Sequence, residues 1–122
     1  YPNLKAIIAP TTVGILAASQ AVTDAGKIGA INVTGLGLPS EMAGAVASGA
    51  TKSFAIWNPI DLGYSSIMAA SQFVSGKVTG KAGDKVSLGR VGTVTLDANG
   101  EAAMAEPFTY DASNVEKFAK FF

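Results

Sequence analysis

The chain has 122 residues, nine basic and nine acidic, 48% of them hydrophobic, with no His and no Cys. It is long enough for one small domain with a core of its own. Its neutral balance, with no Lys/Arg cluster, argues against a nucleic-acid or anionic-membrane surface; the missing Cys and His remove thiol chemistry, thiolate metal sites, the commonest general base and the commonest metal ligand.

Residues 4–9 (LKAIIA) form a short apolar run that reads as a strand. Pro10-Thr11-Thr12 stops it, and Thr11 or Thr12 can cap the helix that follows. Residues 13–25 are Ala-rich and helical, with Val13, Leu16, Ala17, Gln20 and Ala21 on one face and Gly26 where a C′ glycine belongs. Residues 30–34 (AINVT) are a second strand. Gly35-Leu36-Gly37-Leu38-Pro39 follows, then Ser40 as N-cap and Glu41 in the first turn of a short helix ending near Gly49. The third strand is 53–57 (SFAIW), ended by Asn58-Pro59, because Pro59 has no N–H for a ladder and pushes Asn58 into an extended conformation. A third helix, 61–75, stops at Gly76. It carries two apolar stripes, which predicts burial on two sides.

Strand and helix thus alternate three times over residues 1–76, the pattern of a parallel α/β sheet with right-handed crossovers. All three strands are nearly continuous apolar runs, as expected where both sheet faces are covered. Their carboxyl ends, Pro10-Thr11-Thr12, Gly35-Leu36-Gly37 and Trp57-Asn58, should share one edge, the edge where such sheets bind ligands. After Gly76 the character changes. Residues 77–85 are a polar, Gly-rich connector. Short β segments are expected at 86–88, 91–96 and 102–105, with a hairpin turn at Asp97-Ala98-Asn99-Gly100. Ser113-Asn114 should cap a last helix, 115–122, whose Phe118, Phe121 and Phe122 pack. Three strands make a narrow sheet with two edges to protect. With the surplus apolar surface of the third helix, this points to a chain that is part of a larger body. It begins at Tyr1 without Met, which reads as a processed or cut product. No apolar run approaches the ~20 residues that span a bilayer.

Gly35-x-Gly37 lacks the third Gly of the dinucleotide fingerprint, and no phosphate-loop Lys follows it, so a tight turn is the better reading. Trp57 is open to two readings, a core aromatic or a ring that stacks on a ligand. The nine carboxylates are scattered and form no catalytic pair; Asp61 and Glu41 fit helix N-termini. No catalytic residue, cofactor or metal site is expected.

The segments LKAIIAPTT, AINVTGLGLPSEM and SFAIWNPIDLGY, with the closing Asn114 to Phe118, resemble the C-terminal part of type I periplasmic sugar-binding proteins of ABC importers, across nearly the whole chain. The most similar subgroup is the rhamnose-binding and autoinducer-2-binding proteins. The resemblance implies a periplasmic-binding-protein-like I fold, a three-layer α/β/α arrangement with a parallel sheet, of which this chain is the C-terminal part. Residues 1–58 would then be a βαβαβ segment of the C-terminal lobe. Residues 59–80 would be a hinge crossing, with Asn58 and Pro59 at the hinge, and a helix packed in the N-terminal lobe. Residues 81–122 would be a β-hairpin tail and a final helix returning to the hinge and C-terminal lobe. It also implies a non-enzymatic periplasmic protein that closes two lobes on a monosaccharide and delivers it to ABC permease subunits. Its partners would include the N-terminal part of the same protein, but no nucleic acid, and it would not insert in the membrane.

Carried over by position, Pro10, Thr11 and Thr12 match a ligand-contacting loop of the autoinducer-2 subgroup. Trp57 falls where ribose-type binders place a sugar-touching hinge amide, and Asn58 follows it. Gly37 stands where many relatives carry a sugar-binding Asp. Loss of that charged acceptor disfavours ribose or galactose and favours a less hydroxylated, rhamnose-like deoxy sugar. The alternatives are an autoinducer-2 binder and the effector domain of a LacI-type regulator, which would need a helix-turn-helix. Third is a Rossmann-like enzyme, which would need a phosphate loop and acid–base groups.

Overall fold

A computed structural model describes all residues, 1–122. The chain forms two compact units. Tyr1–Ile56 and Phe108–Phe122 make the first, Trp57–Pro107 the second, so the chain leaves the first unit after Ile56 and returns at Phe108. Of the expected tail 81–122, residues 81–107 therefore belong with the third helix, and 108–122 with the first unit.

In the first unit, β1 (Ala6–Ala9) pairs in parallel with β2 (Asn32–Gly35) in the register Ile7 to Val33 and Ala9 to Gly35. β3 (Ser53–Ile56) lies parallel to β2 through bridges at Val33–Thr51 and Leu36–Ala55. β6 (Phe108–Asp111) then adds to β3 antiparallel, Phe54 opposite Tyr110 and Ile56 opposite Phe108. The sheet is therefore mixed, and this fourth strand is absent from the sequence reading. Four residues after Pro107, with no alternation long enough to stand out, left no local signal, and the partner lies more than fifty residues away.

Helix α1 (Thr12–Asp24) is capped by Thr11, whose hydroxyl accepts the Gly14 N–H at 3.1 Å. Helix α2 (Pro39–Ala47) begins two residues earlier than expected. Leu38, not Ser40, is its N-cap, because Pro39 takes the first helical position with φ already set, and the Ser40 N–H goes to the Phe122 carbonyl. Ile15, Val22, Met42 and Val46 from these helices bury against Val33, Phe54, Tyr110 and Val115. Phe54 and Tyr110 stack at 5.3 Å, and Phe118 meets Tyr110 edge-on at the same spacing. A hydroxyl pair, Ser19 of α1 and Thr51 at 2.9 Å, is buried; the Ser19 hydroxyl donates to the Ile15 carbonyl at 2.7 Å, which leaves Thr51 the donor to Ser19. The continuous apolar strands suggested helices on both faces. In this chain the face of Ile7, Val33 and Phe54 is covered, while Ile8 opposite is 78% exposed.

The last helix, α4 (Val115–Phe118), stops four residues short of expectation. Asn114 holds its N-cap position but makes no cap bond; its side-chain oxygen accepts the Asp111 N–H instead, closing the turn after β6. Phe121, expected to pack, is 66% exposed.

The second unit is α3 (Pro59–Val74) packed on a hairpin of β4 (Lys85–Ser87) and β5 (Thr93–Thr95), joined by a 3-10 turn at Gly89–Val91. Val78, Val86, Leu88 and Leu96 form its core. Gln72 of α3 grips the hairpin with both ends of its amide, donating to the Ser87 carbonyl at 2.6 Å and accepting the Ser87 N–H at 3.1 Å. The Asn99-Gly100 turn forms, with Asp97 N–H on the Glu101 carbonyl, but 102–105 is not a strand. That stretch, Ala-Ala-Met-Ala, lacks the β-branched residues that favour a pleated surface, and β5 pairs with β4 instead. Burial of α3 on two sides does not occur here: only Ser65 is buried, while Ile60, Ile67 and Val74, seven residues apart, are 60%, 72% and 90% exposed.

Candidate binding edge

The three strand ends named from the sequence are tied together by backbone hydrogen bonds. Leu36 N–H donates to the Ala9 carbonyl at 3.0 Å, joining the ends of β1 and β2. Gly37 N–H donates to the Ala55 carbonyl at 3.3 Å, joining β2 to β3. A side chain adds a third tie: the Thr12 hydroxyl accepts the Leu38 N–H at 3.2 Å, locking the loop after β1 to the loop after β2. Pro10 and Thr11 are exposed on this edge and Thr12 is half-buried.

Both glycines of the second loop are required by close approach. Gly35 has φ 141°, and a Cβ there would stand 1.9 Å from the Ala9 carbonyl oxygen. Gly37 is buried, and a Cβ on it would come 2.7 Å from Cγ of Met42. A side chain at Gly37 would thus begin against the core residue Met42, which is fully buried. With Met42 where it is, an Asp does not fit, and position 37 offers only backbone.

Trp57 and Asn58 follow directly on β3 and open the second unit; both are half-buried. The Trp57 indole N–H donates to the Ala105 carbonyl at 2.6 Å. Its polar end is thereby held within the second unit, two residues before Pro107, at which the chain turns back to the first. No sequence signal could have found Ala105 as the partner, since a backbone carbonyl belongs to every residue. The Asn58 side chain caps α3: its Oδ1 accepts the N–H groups of Ile60 at 2.9 Å and Asp61 at 3.4 Å. Pro59 sits at the first helical position with no N–H to satisfy. Nearby on the same helix, Asp61 pairs with Arg90 at 2.6 Å, and the guanidinium lies 4.0 Å over the Tyr64 ring.

The residues of the strand ends, Ala9-Pro10-Thr11-Thr12, Gly35-Leu36-Gly37-Leu38 and Ile56-Trp57-Asn58, include no carboxylate and no cation. Each of α1, α2 and α3 begins within four residues of a strand end, so helix N-termini with their free N–H groups and positive dipole ends follow each loop. No group of three or more His, Cys, Asp or Glu could hold a metal ion. The side chains that close the strand ends of the first unit, Thr11 and Thr12, can hydrogen-bond and carry no charge.

The family model of the periplasmic binding protein domain matches residues 1–78. A solved sugar ABC transporter protein from Actinomyces odontolyticus is 37% identical over 97% of this chain, with a TM-score of 0.77. An ABC transporter solute-binding protein from Clostridium phytofermentas, solved with bound L-rhamnose, is 36% identical over 99% of this chain, with a TM-score of 0.82. LsrB from Clostridium saccharobutylicum, in complex with AI-2, shares the fold at 19% identity and a TM-score of 0.69 over 96% of the chain. The chain spans about two fifths of the length of these solved proteins, 38–41%. With a strand-end edge of this composition and a match of this extent, the chain belongs to the periplasmic binding protein family and has the type I fold of the sugar-binding proteins of ABC transporters.

Proposed function

We propose that this chain is part of a two-lobed solute-binding protein that delivers a monosaccharide to an ABC permease, and that the sugar is a rhamnose-like deoxy sugar. Membership of the family carries an extracytoplasmic location; the periplasm is the compartment this reading assigns. No helix is long and apolar enough to cross a membrane. The solute would meet the carboxyl edge of β1, β2 and β3 through Pro10, Thr11 and Thr12, the backbone of Gly37, and Trp57 and Asn58. Closure of the whole protein's lobes about the crossing at Asn58-Pro59 is part of the same reading, driven by contacts made only in the closed state.

The observation that carries the choice of sugar is an edge with one large aromatic, two hydroxyls, one amide and no carboxylate. An aromatic face favours a sugar face of C–H groups, and a methyl in place of a hydroxymethyl removes a group that would need a polar partner. The likeness to the rhamnose-bound protein supports it. The test is calorimetric titration of the whole protein with L-rhamnose, ribose, galactose and AI-2. L-rhamnose should bind tightest, and Trp57→Ala should weaken it by at least about tenfold, about 1.4 kcal/mol. Tighter binding of ribose or galactose refutes the deoxy-sugar reading, tighter AI-2 binding moves the protein to that class, and an unchanged affinity in Trp57→Ala removes Trp57 from the site.

A further inference from the structure

Apart from the strand-end edge, and whatever sugar that edge takes, we propose that the second unit holds a binding site of its own. It is the cavity between α3 and the β4–β5 hairpin, and its ligand is a small uncharged molecule with an apolar body and one hydroxyl, which bonds to Ser65. The cavity measures about 260 Å³ and is lined entirely from within Trp57–Pro107. Val86, Leu88 and Leu96, all buried, give it an apolar wall; Leu62 and Phe73 of α3 are exposed members of its lining. No charged side chain lines it, which disfavours an ionic ligand.

The observation that calls for a ligand is Ser65. It is the buried residue of α3, 4% exposed, and its hydroxyl oxygen has no hydrogen-bond partner. A helical serine can bond back to the carbonyl one turn earlier. Ser19 does so to Ile15 at 2.7 Å, and Ser66, beside Ser65, to Leu62 at 2.9 Å. Ser65 does not, and it lines the cavity. An unpaired buried hydroxyl is costly, and a partner entering the cavity removes the cost. One water needs only about 30 Å³, and an apolar cavity of about 150 Å³ already admits benzene, so a single ring with a hydroxyl suits this one. Such a ligand also adds apolar contact to a core of four buried aliphatics. At about 100° per residue, Leu62, Ser65 and Phe73 share one side of α3 and the open stripe of Ile60, Ile67 and Val74 the other. A partner laid on that stripe therefore packs on the far side of the helix from the cavity.

The test uses the whole protein, with phenol as the probe and toluene as its counterpart without the hydroxyl. Followed by methyl NMR, phenol should shift Val86, Leu88 and Leu96 saturably in the millimolar range, and amide exchange in β4 and β5 should slow. Ser65→Ala should weaken phenol about three- to tenfold and leave toluene as tight or tighter. Without ligand that variant should melt no lower than the unaltered protein, because the unpaired hydroxyl is gone. Ala69→Leu, which puts a larger side chain on the cavity lining, should abolish the binding of both molecules. Absence of a saturable shift at these three residues, an unchanged phenol affinity in Ser65→Ala, or unchanged binding in Ala69→Leu overturns the proposal. None of these residues belongs to the strand-end edge, so the sugar titration stands or fails separately.

Discussion

The two units close their surfaces to very different degrees. The first buries Ile15, Val33, Met42, Phe54 and Tyr110 to 2% exposure or less beneath α1, α2 and α4. The second has four buried aliphatics and leaves Ile60, Ile67 and Val74 of its only long helix open. Composition does not explain this, since α3 is the most apolar stretch of its half of the chain. What differs is the number of elements that can face one another: a sheet edge-bonded to four strands supports three helices, whereas a two-stranded hairpin covers one side of one helix. Polar bonds fill the gap in the second unit. Gln72 clamps the hairpin, and Asp84 gathers Thr79 N–H, the Thr79 hydroxyl, Gly80 N–H and Lys81 N–H on one oxygen. In the first unit such ties, Thr12 to Leu38 and Ser19 to Thr51, add to a larger apolar core.

The largest test of that contrast is Phe54→Ala, which should cost about 3–5 kcal/mol by leaving a cavity against Tyr110. Followed by amide exchange, it should raise opening rates throughout the first unit and leave those of β4 and β5 near their starting values. Equal acceleration in both units would show that they unfold as one and break the comparison. Next is Gly37→Ala, expected at about 1–3 kcal/mol because the new methyl presses on Met42; thermal or denaturant unfolding reads it directly.

Acid should act on two turns of the second unit and one of the first. Backbone and side-chain N–H and O–H donors hold Asp84 and Asp97 in the second unit, and Asp111 in the first, below the usual carboxylate range, with Thr79, Glu101 and Ser113 the main donors respectively. A carboxylate with a depressed folded pKa stabilises fully above its unfolded value, near 3.9, and that contribution is lost as pH falls through the folded value. The turns at 79–84 and 97–101, and the turn that Asp111 closes after β6, should therefore loosen below about pH 4. Amide exchange at pH 3 and pH 6 checks this, and Asp84→Asn should abolish the pH dependence at its turn. The smallest effect belongs to Ile67→Gln, within about 0.5 kcal/mol for an exposed position. A loss of 2 kcal/mol or more in the whole protein, on the scale of a buried aliphatic, would show that something covers this face there.

The legible part of the structure was the part written in local signals. Thr11 announces α1 and Pro59 the end of β3, because a cap or a missing N–H acts within three residues of itself. The alternation of apolar strands with helices gave the order of the first 76 residues, and the strand ends on one edge followed from it. The misreadings share one cause. β6, the identity of β5's partner and the shortness of α4 each depend on which distant segment offers free backbone groups, not on the residues of the element. Trp57 illustrates the same limit at the candidate site: its place at a strand end was readable, its bond to Ala105 was not. The Gly37 position shows the converse. The sequence marks only a Gly ahead of the second helix, and packing reveals that Met42 occupies the space a side chain there would need.

By itself, then, the sequence determined the order of the strands and helices of the first half, which polar side chains lie at the strand ends, and what chemistry is excluded by having no His, no Cys and no charge there. The tertiary structure decided what those side chains bond to. Thr11, Thr12 and Asn58 carry donors and acceptors alike, and the fold engages their oxygens with the N–H groups of Gly14, Leu38, Ile60 and Asp61. It also decided that β6 completes the sheet. Both outcomes turn on main-chain hydrogen bonds, and since every residue but proline brings the same N–H and C=O, residue identity does not encode their partners.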